Sequence, residues 1–372
     1  MFIKSLHLTH FKNFQELKLD LSPGFHFISG QNGAGKSNFL DAIYYLALSR
    51  SFSSIPDKEL IHYGRDFMRI EALINIEESL EHLEIKYKPP QLKEWILNGK
   101  KYEKLTDHIG LIPIALVAPD DIYLLMHSAE ARRKYLNQVL VQTDREYLRR
   151  SIHYQQFLKQ RNAAVKQMKI AGKIDHGVLD ALDYGLSANG AYIVKCRKEL
   201  MDILNPWVQV YITRISNGSQ TGDLKYIADV PCDFEQVLRE YREKDYFSGR
   251  TNKGVHKDKI ECMMGDFPIH GVGSQGQLKT FVSAMKLAQY AIMKSKKGKQ
   301  PIVLLDDIFA KLDEERVQQF IEVLNEEQIT QCFITDTHVD RSKLLMKRLP
   351  GNAELYNVVN GNIQRIPNKQ GG

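Results

Sequence analysis

The chain has 372 residues, 43% hydrophobic and 26% charged, ordinary globular proportions that exclude a disordered or fibrous chain and leave room for one large or two medium folded units. No apolar run approaches the about 20 residues of a membrane span, and Met1-Phe2-Ile3-Lys4-Ser5 opens no secretory signal. Cys196, Cys232, Cys262 and Cys332 have no spacing for a zinc site or a disulfide framework, so a reducing cytoplasm is expected and membrane, secreted and metal-stapled classes are set aside. The net charge of +6 is unevenly spread: eleven Lys/Arg face two acids (Asp144, Glu146) between Arg132 and Lys173. Such an excess reads either as a polyanion contact or as a solubilising helix surface.

In chain order, Phe2–Leu8 and Phe14–Leu21 alternate as strands, Pro23-Gly24 turns, and Phe25–Ser29 is a short apolar strand. It runs into Gly30-Gln31-Asn32-Gly33-Ala34-Gly35-Lys36-Ser37, and a helix follows to about Leu48. Phe67–Ile76, Leu83–Tyr87 and Trp95–Leu97 read as strands, with Asn98-Gly99 as a hairpin turn. From Ala129 to about Leu204 the pattern is helical. Thr143-Asp144-Arg145-Glu146 fits a capping box with Thr143 as the cap. That helix runs to about Ile170, and a Gly172–Gly177 turn leads to a second ending before Pro206. Two helices of about 26 residues, roughly 40 Å each, predict an antiparallel arm. The basic residues of its first helix (Arg149, Arg150, Lys159, Arg161, Lys166, Lys169) are spread around the circumference. Strands return at Leu224–Val230 and Lys259–Met264, the last hundred residues are α/β again, and the tail Asn368–Gly372 is expected to be disordered.

Gly30-x4-Gly35-Lys36-Ser37 matches the phosphate-binding loop between strand and helix. Glycines let backbone N–H groups curl around phosphate, Lys36 reaches the outer phosphates, and the Ser37 hydroxyl ligates Mg²⁺. Gly30, Gln31, Asn32, Gly33, Ala34, Gly35, Lys36 and Ser37 are thus the expected nucleotide contacts. Asp306, ending the buried-type strand Ile302–Leu305, is the expected metal partner of Ser37, and Asp307 is placed to polarise an attacking water. Gly273-Ser274-Gln275-Gly276-Gln277 precedes an apolar-periodic helix and offers a second anion site through Ser274, Gly276 and Gln277. With one phosphate loop per chain, this second reader of the γ-phosphate points to a head-to-tail partner contributing in trans. Ala310-Lys311-Leu312-Asp313 and Phe333–His338 complete the order of ABC-type ATPase heads. His338 reads either as a γ-phosphate sensor with a catalytic part or as a surface histidine.

With these residues in place, the chain resembles the RecF family, bacterial recombination-mediator ATPases related to SMC-type heads, over nearly its whole length. The likeness is carried by Asn13-Phe14, Ser51-Phe52, Asp57-Lys58-Glu59-Leu60-Ile61, Ala118-Pro119-Asp120-Asp121 and Arg132-Arg133-Lys134-Tyr135-Leu136. It continues through Ser274-Gln275-Gly276-Gln277-Leu278-Lys279 and Leu305-Asp306-Asp307. The family usually has Gly-Pro-His-Arg-Asp-Asp-Leu where this chain has Gly254-Val255-His256-Lys257-Asp258-Lys259-Ile260, and Ala310-Lys311 replaces a small hydroxyl residue before Leu312.

The expected fold class is α/β, a P-loop NTPase of ABC/SMC-head type with an inserted α-helical arm: head at 1–120, arm at 121–215, head again at 216–372. The resemblance implies an ATP- and Mg²⁺-dependent homodimer with weak DNA-stimulated ATPase activity. It further implies binding to double-stranded and gapped DNA, and RecO and RecR as partners in promoting RecA loading in recombinational repair and replication-fork maintenance. DNA contact is expected through phosphates, from Arg149 and Arg150 or from Lys294–Lys299, since no base-reading motif is present. An ABC transporter ATPase subunit and a scaffold using ATP only as a conformational ligand remain the alternatives.

Overall fold

The computed structural model describes all residues except 78, 127–128, 310–313, 350 and 368–372, so the expectations for 310–313 and for the tail lie outside the described residues. The chain divides into two compact units: Met1–Asp121 with Thr213–Ser219 and Gln289–Gly372, and Ile122–Ile212 with Gln220–Ala288.

The first unit holds two six-stranded sheets. One is antiparallel, in the order Phe14–Asp20, Phe2–Phe11, Met68–Ile76, Ser79–Tyr87, Glu94–Leu97, Lys100–Lys101. The expected turn is present, with Asn98 and Gly99 both at positive φ (49° and 78°) as a two-residue hairpin of this hand requires. The other runs Asn362–Ile366, Ala353–Val359, Gly24–Ser29, Gln331–Asp336, Ile302–Leu305, Ile114–Val117, all parallel except the first. Strands covered on both faces need unbroken apolar runs, and Ile302–Leu305 and Ile114–Val117 are buried at every position. Helix Lys36–Leu48 is apolar on nearly all sides and shares one core with residues of both sheets, among them Leu6, Ile70, Ile28, Leu304 and Phe333.

The second unit is mainly helical: Ala129–Thr143, Arg145–Ala171, a long helix entering at His176, and short helices Phe234–Glu240 and Arg242–Ser248. Its three strands, Asp223–Ile227, Lys259–Met264 and Phe267–Pro268, form a sheet of their own. Here the expected boundary shifts. The segment Gln220–Ala288, assigned above to the head, belongs to the helical unit. The cause is local: its strands pair with each other, Arg197 binds the Asp258 carboxylate at 2.5 Å, and Arg161 binds that of Asp245 at 2.6 Å.

Two helical expectations are corrected. The cap of Arg145–Ala171 is Asp144, whose carboxylate accepts the Tyr147 N–H at 3.0 Å, whereas Thr143 ends the preceding helix and donates to the Val139 carbonyl. The second arm helix does not stop before Pro206 but spans His176–Ile215, 40 residues and roughly 60 Å. Leu200, Leu204, Val208, Tyr211 and Ile215 are buried at three- and four-residue spacing while Pro206 is exposed. The apolar stripe therefore outweighs an interior proline's cost of about 3 kcal/mol. Arg161, one of the basic residues spread around the first arm helix, is fully buried, with Asp183 and Asp245 each at 2.6 Å and Thr251 at 2.9 Å. Arg242 donates to the second oxygen of Asp183, so two arginines and three aspartates (Asp180 included) join the arm helices to the short ones. Removing one partner of such a set strands the others. Arg161→Ala is expected to cost roughly 3–5 kcal/mol in chemical or thermal unfolding, against little change for the exposed Lys159→Ala and Lys166→Ala.

Candidate nucleotide site

The order of the parallel sheet determines what meets what. Strand Gln331–Asp336 lies between Gly24–Ser29, which feeds the glycine loop, and Ile302–Leu305, which ends at the acid pair, so three carboxyl ends lie side by side. Gly30 and Gly35 are glycines for steric reasons. A Cβ on Gly30 would lie 2.5 Å from the Val358 carbonyl oxygen, and Gly35, at φ 115°, would drive one into the Asn13 amide nitrogen. Gln31, Asn32 and Gly33 are exposed. The helix beginning at Lys36 has neither a side-chain cap nor an acid in its first turn, which leaves its leading N–H groups and positive end open to an anion.

The Lys36 side chain turns back into the loop, its ammonium donating to the carbonyls of Gly30 (2.7 Å) and Gln31 (2.9 Å). The residue is only 7% exposed; burial lowers the affinity of its amine for a proton, and Asp307, Asp306 and Asp336 oppose that shift. Ser37 Oγ donates to Asp306 Oδ1 at 2.9 Å, so the expected metal pair is in contact. Asp307 stands at φ 47°, a left-handed conformation aspartate tolerates better than most residues. Its Oδ1 is shut off from solvent with no hydrogen-bond partner. Burial raises its pKa, Asp336 and Asp306 add to the rise, and Arg341 and Lys36 oppose it. An oxygen-rich pair beside a phosphate cradle suits Mg²⁺, and a buried, unpartnered carboxylate oxygen next to it can take up a proton.

His338 is exposed and caps helix Val339–Met346, its N–H donating to Asp336 Oδ1 at 2.7 Å. Ser274, Gly276 and Gln277 lie in the second unit. Ser274 is exposed at the start of helix Gln275–Lys297 and forms a reciprocal box with Gln277: its N–H donates to Oε1 at 2.8 Å, and its Oγ accepts the Gln277 N–H at 3.3 Å. Gln277 is therefore a capping residue here, whatever else it contacts.

Two contributors escaped the sequence reading. Thr335 Oγ1 donates to Asp306 Oδ1 (2.6 Å) and accepts the Asp307 N–H (2.9 Å), one hydroxyl holding both acids. Asp336, buried, is gripped by Arg341 through both carboxylate oxygens at 2.6 Å. The only sequence trace was their place at the end of an apolar strand followed by Thr337-His338.

The RecF/RecN/SMC N terminal domain family matches residues 2–354. A protein named DNA replication and repair protein RecF from Cytophaga hutchinsonii is 37% identical over 372 residues, 100% of this chain and 98% of the relative. The protein of the same name from Flavobacterium johnsoniae is 35% identical over 359 residues, 96% and 100% of the two chains. Among solved structures, that of the recombination mediator protein RecF-ATP in the RecFOR pathway matches with a TM-score of 0.89 at 24% identity, covering 98% of each chain. An Smc head bound to the C-winged helix domain of ScpA matches at 0.57 and 16%, covering 100% of this chain and 99% of the other. The fold is that of SMC-type ATPase heads, and the chain belongs to the RecF family.

Proposed function

We propose that the chain is an ATP-gated DNA-binding protein of replication and repair: ATP drives a head-to-tail homodimer that holds double-stranded or gapped DNA, and slow hydrolysis releases it. The observation that carries this reading is the meeting, at adjacent ends of parallel strands, of a glycine loop, a buried lysine amine, a Ser37–Asp306 pair and the unpartnered oxygen of Asp307. The relatives' name supports the repair setting over a transporter head, and no helix among the described residues is long and apolar enough to cross a membrane. In keeping with the family resemblance, RecO and RecR are the expected partners in RecA loading.

In this reading the loop N–H groups of Gly30–Ser37 receive the phosphates and Lys36 exchanges its loop carbonyls for phosphate oxygens. Ser37 and Asp306 would hold Mg²⁺, which neutralises charge on the phosphates. Asp307 orients water and accepts its proton, Thr335 fixes both acids, and His338 faces the γ-phosphate. Ser274 and Gly276 of a second copy complete the site. The arm's exposed cations carry the DNA contact. Arg149 and Arg150 both pair with Glu146, at 2.5 and 2.6 Å, and Arg161 is internal, so Lys159, Lys166 and Lys169 bear more of the free charge than the composition implied.

Lys36→Ala should abolish ATP binding in equilibrium dialysis with the fold intact. Asp307→Asn should sediment as a dimer with ATP and DNA; a monomer there, with ATP bound, removes the clamp. Thr335→Val, nearly isosteric, should lower kcat on the order of tenfold to a hundredfold with KM kept, and Thr335→Ser should restore it. DNA affinity should fall linearly in log–log against salt, with a shallower slope for Lys159→Glu/Lys166→Glu; an unchanged slope moves the contact off the arm.

A further inference from the structure

Three of the segments that carry the family resemblance, Asn13-Phe14, Ser51-Phe52 and Asp57–Leu60, have no part in the site as described. In the fold all three converge on the helix Lys36–Leu48 that carries the phosphate loop. Asp41, fully buried on that helix, pairs with the Lys12 ammonium at 2.6 Å and accepts the Ser51 hydroxyl at 2.7 Å and the Phe52 N–H at 2.8 Å. Tyr45 donates to Asp57 at 3.0 Å. Lys12 is at φ 49°, its N–H donates to the Leu60 carbonyl at 2.7 Å, and its own carbonyl meets His62 Nδ1 at 2.8 Å, so the turn before Asn13 is fixed on both sides.

Asn13 is the member of this set that reaches the loop itself. Its Nδ2 donates to the Ala34 carbonyl at 3.1 Å, and its Oδ1 accepts Asn38 Nδ2 at 2.8 Å. The Ala34 carbonyl also receives the Gly361 N–H at 3.3 Å, from the turn of the last hairpin. Gly361, at φ 78°, comes so close that a Cβ would lie 2.5 Å from the Asn13 carbonyl oxygen. The loop is thus held at one carbonyl by two donors from outside it. A primary amide fits this place because it donates and accepts at once; aspartate lacks the donor and alanine both functions.

We propose that Asn13 is a positioning residue for nucleotide: its amide holds the glycine loop with its N–H groups already turned toward phosphate. The benefit is in preorganisation. Ordering an unsupported backbone at the moment of binding costs conformational entropy that would otherwise weaken binding. The inference rests on the reading of this loop as the ATP site, and it places the effect on the phosphates that ATP and ADP share rather than on the terminal one.

The test is equilibrium binding of ATP and of ADP, each with Mg²⁺, to the full chain, together with thermal melting without nucleotide. Asn13→Ala should weaken both nucleotides by the same factor, roughly tenfold, while the nucleotide-free protein still melts cooperatively. Asn38→Ala, which only orients the Asn13 amide, should lose less, and the double variant should be no weaker than Asn13→Ala alone. A role confined to fold stability would lower the melting midpoint and leave both affinities in place, overturning the proposal. So would a loss confined to ATP, which would put Asn13 at the γ-phosphate. If Asn13→Ala binds as wild type while Lys36→Ala does not, the positioning role of Asn13 is wrong and the ATP site stands; if the wild-type chain binds neither nucleotide, both fall.

Discussion

A buried ammonium group facing three carboxylates is the constraint around which the first unit is arranged. Burial weakens the hold of Lys36 on its proton, and Asp307, Asp306 and Asp336 oppose that loss only in part. Neither side of that balance exists without the sheet order that sets Ser29, Asp336 and Leu305 at one edge. Burial raises the pKa of Asp307, and repulsion from Asp336 and Asp306 adds to the rise. Charge, topology and burial are here one condition.

How much of this could be read from the chain follows from what kind of interaction placed each residue. The glycine loop was legible because its chemistry is main-chain and local: spacing alone specifies a turn, a cradle and a helix start. Asp306 and Asp307 were legible because four aliphatics in a row announce a strand buried on both faces, and acids at its end stand out. Thr335 was not, because a threonine in an apolar strand is ordinary until the sheet order makes it the neighbour of two acids. Asn13 marked the resemblance but has its partners, Ala34 and Asn38, 21 and 25 residues away in sequence.

The helical unit shows the opposite balance, with local rules yielding to tertiary ones. Proline ended the second arm helix on paper, yet a stripe of buried leucines and aromatics carries the backbone past it. The capping pattern was right in kind and one residue out, since Asp144 is the better acceptor once Thr143 is engaged by the preceding turn. Arg161 follows the same balance: its place on the helix circumference does not tell a cation that faces water from one that faces Asp183 and Asp245. Two such networks, about Arg161 and about Asp258, draw residues beyond 220 onto the arm helices. A boundary placed by composition missed them for that reason.

The polar groups available to a ligand differ in kind from those that support them. The Lys36 ammonium is satisfied by two loop carbonyls, Ser37 by Asp306, and Ser274 by its own capping partner. Each of these bonds can be exchanged for one to a phosphate or a metal with little change in the number of hydrogen bonds, so binding and release need not cross a deep well. The supports behind them are not of that sort. Asp41 with Lys12, Asp336 with Arg341, and Thr335 between two acids are buried, and breaking any of them leaves a charge or a donor without water or partner. In the first unit the bonds of Lys36 and Ser37 line the loop, and the buried ones support it from outside.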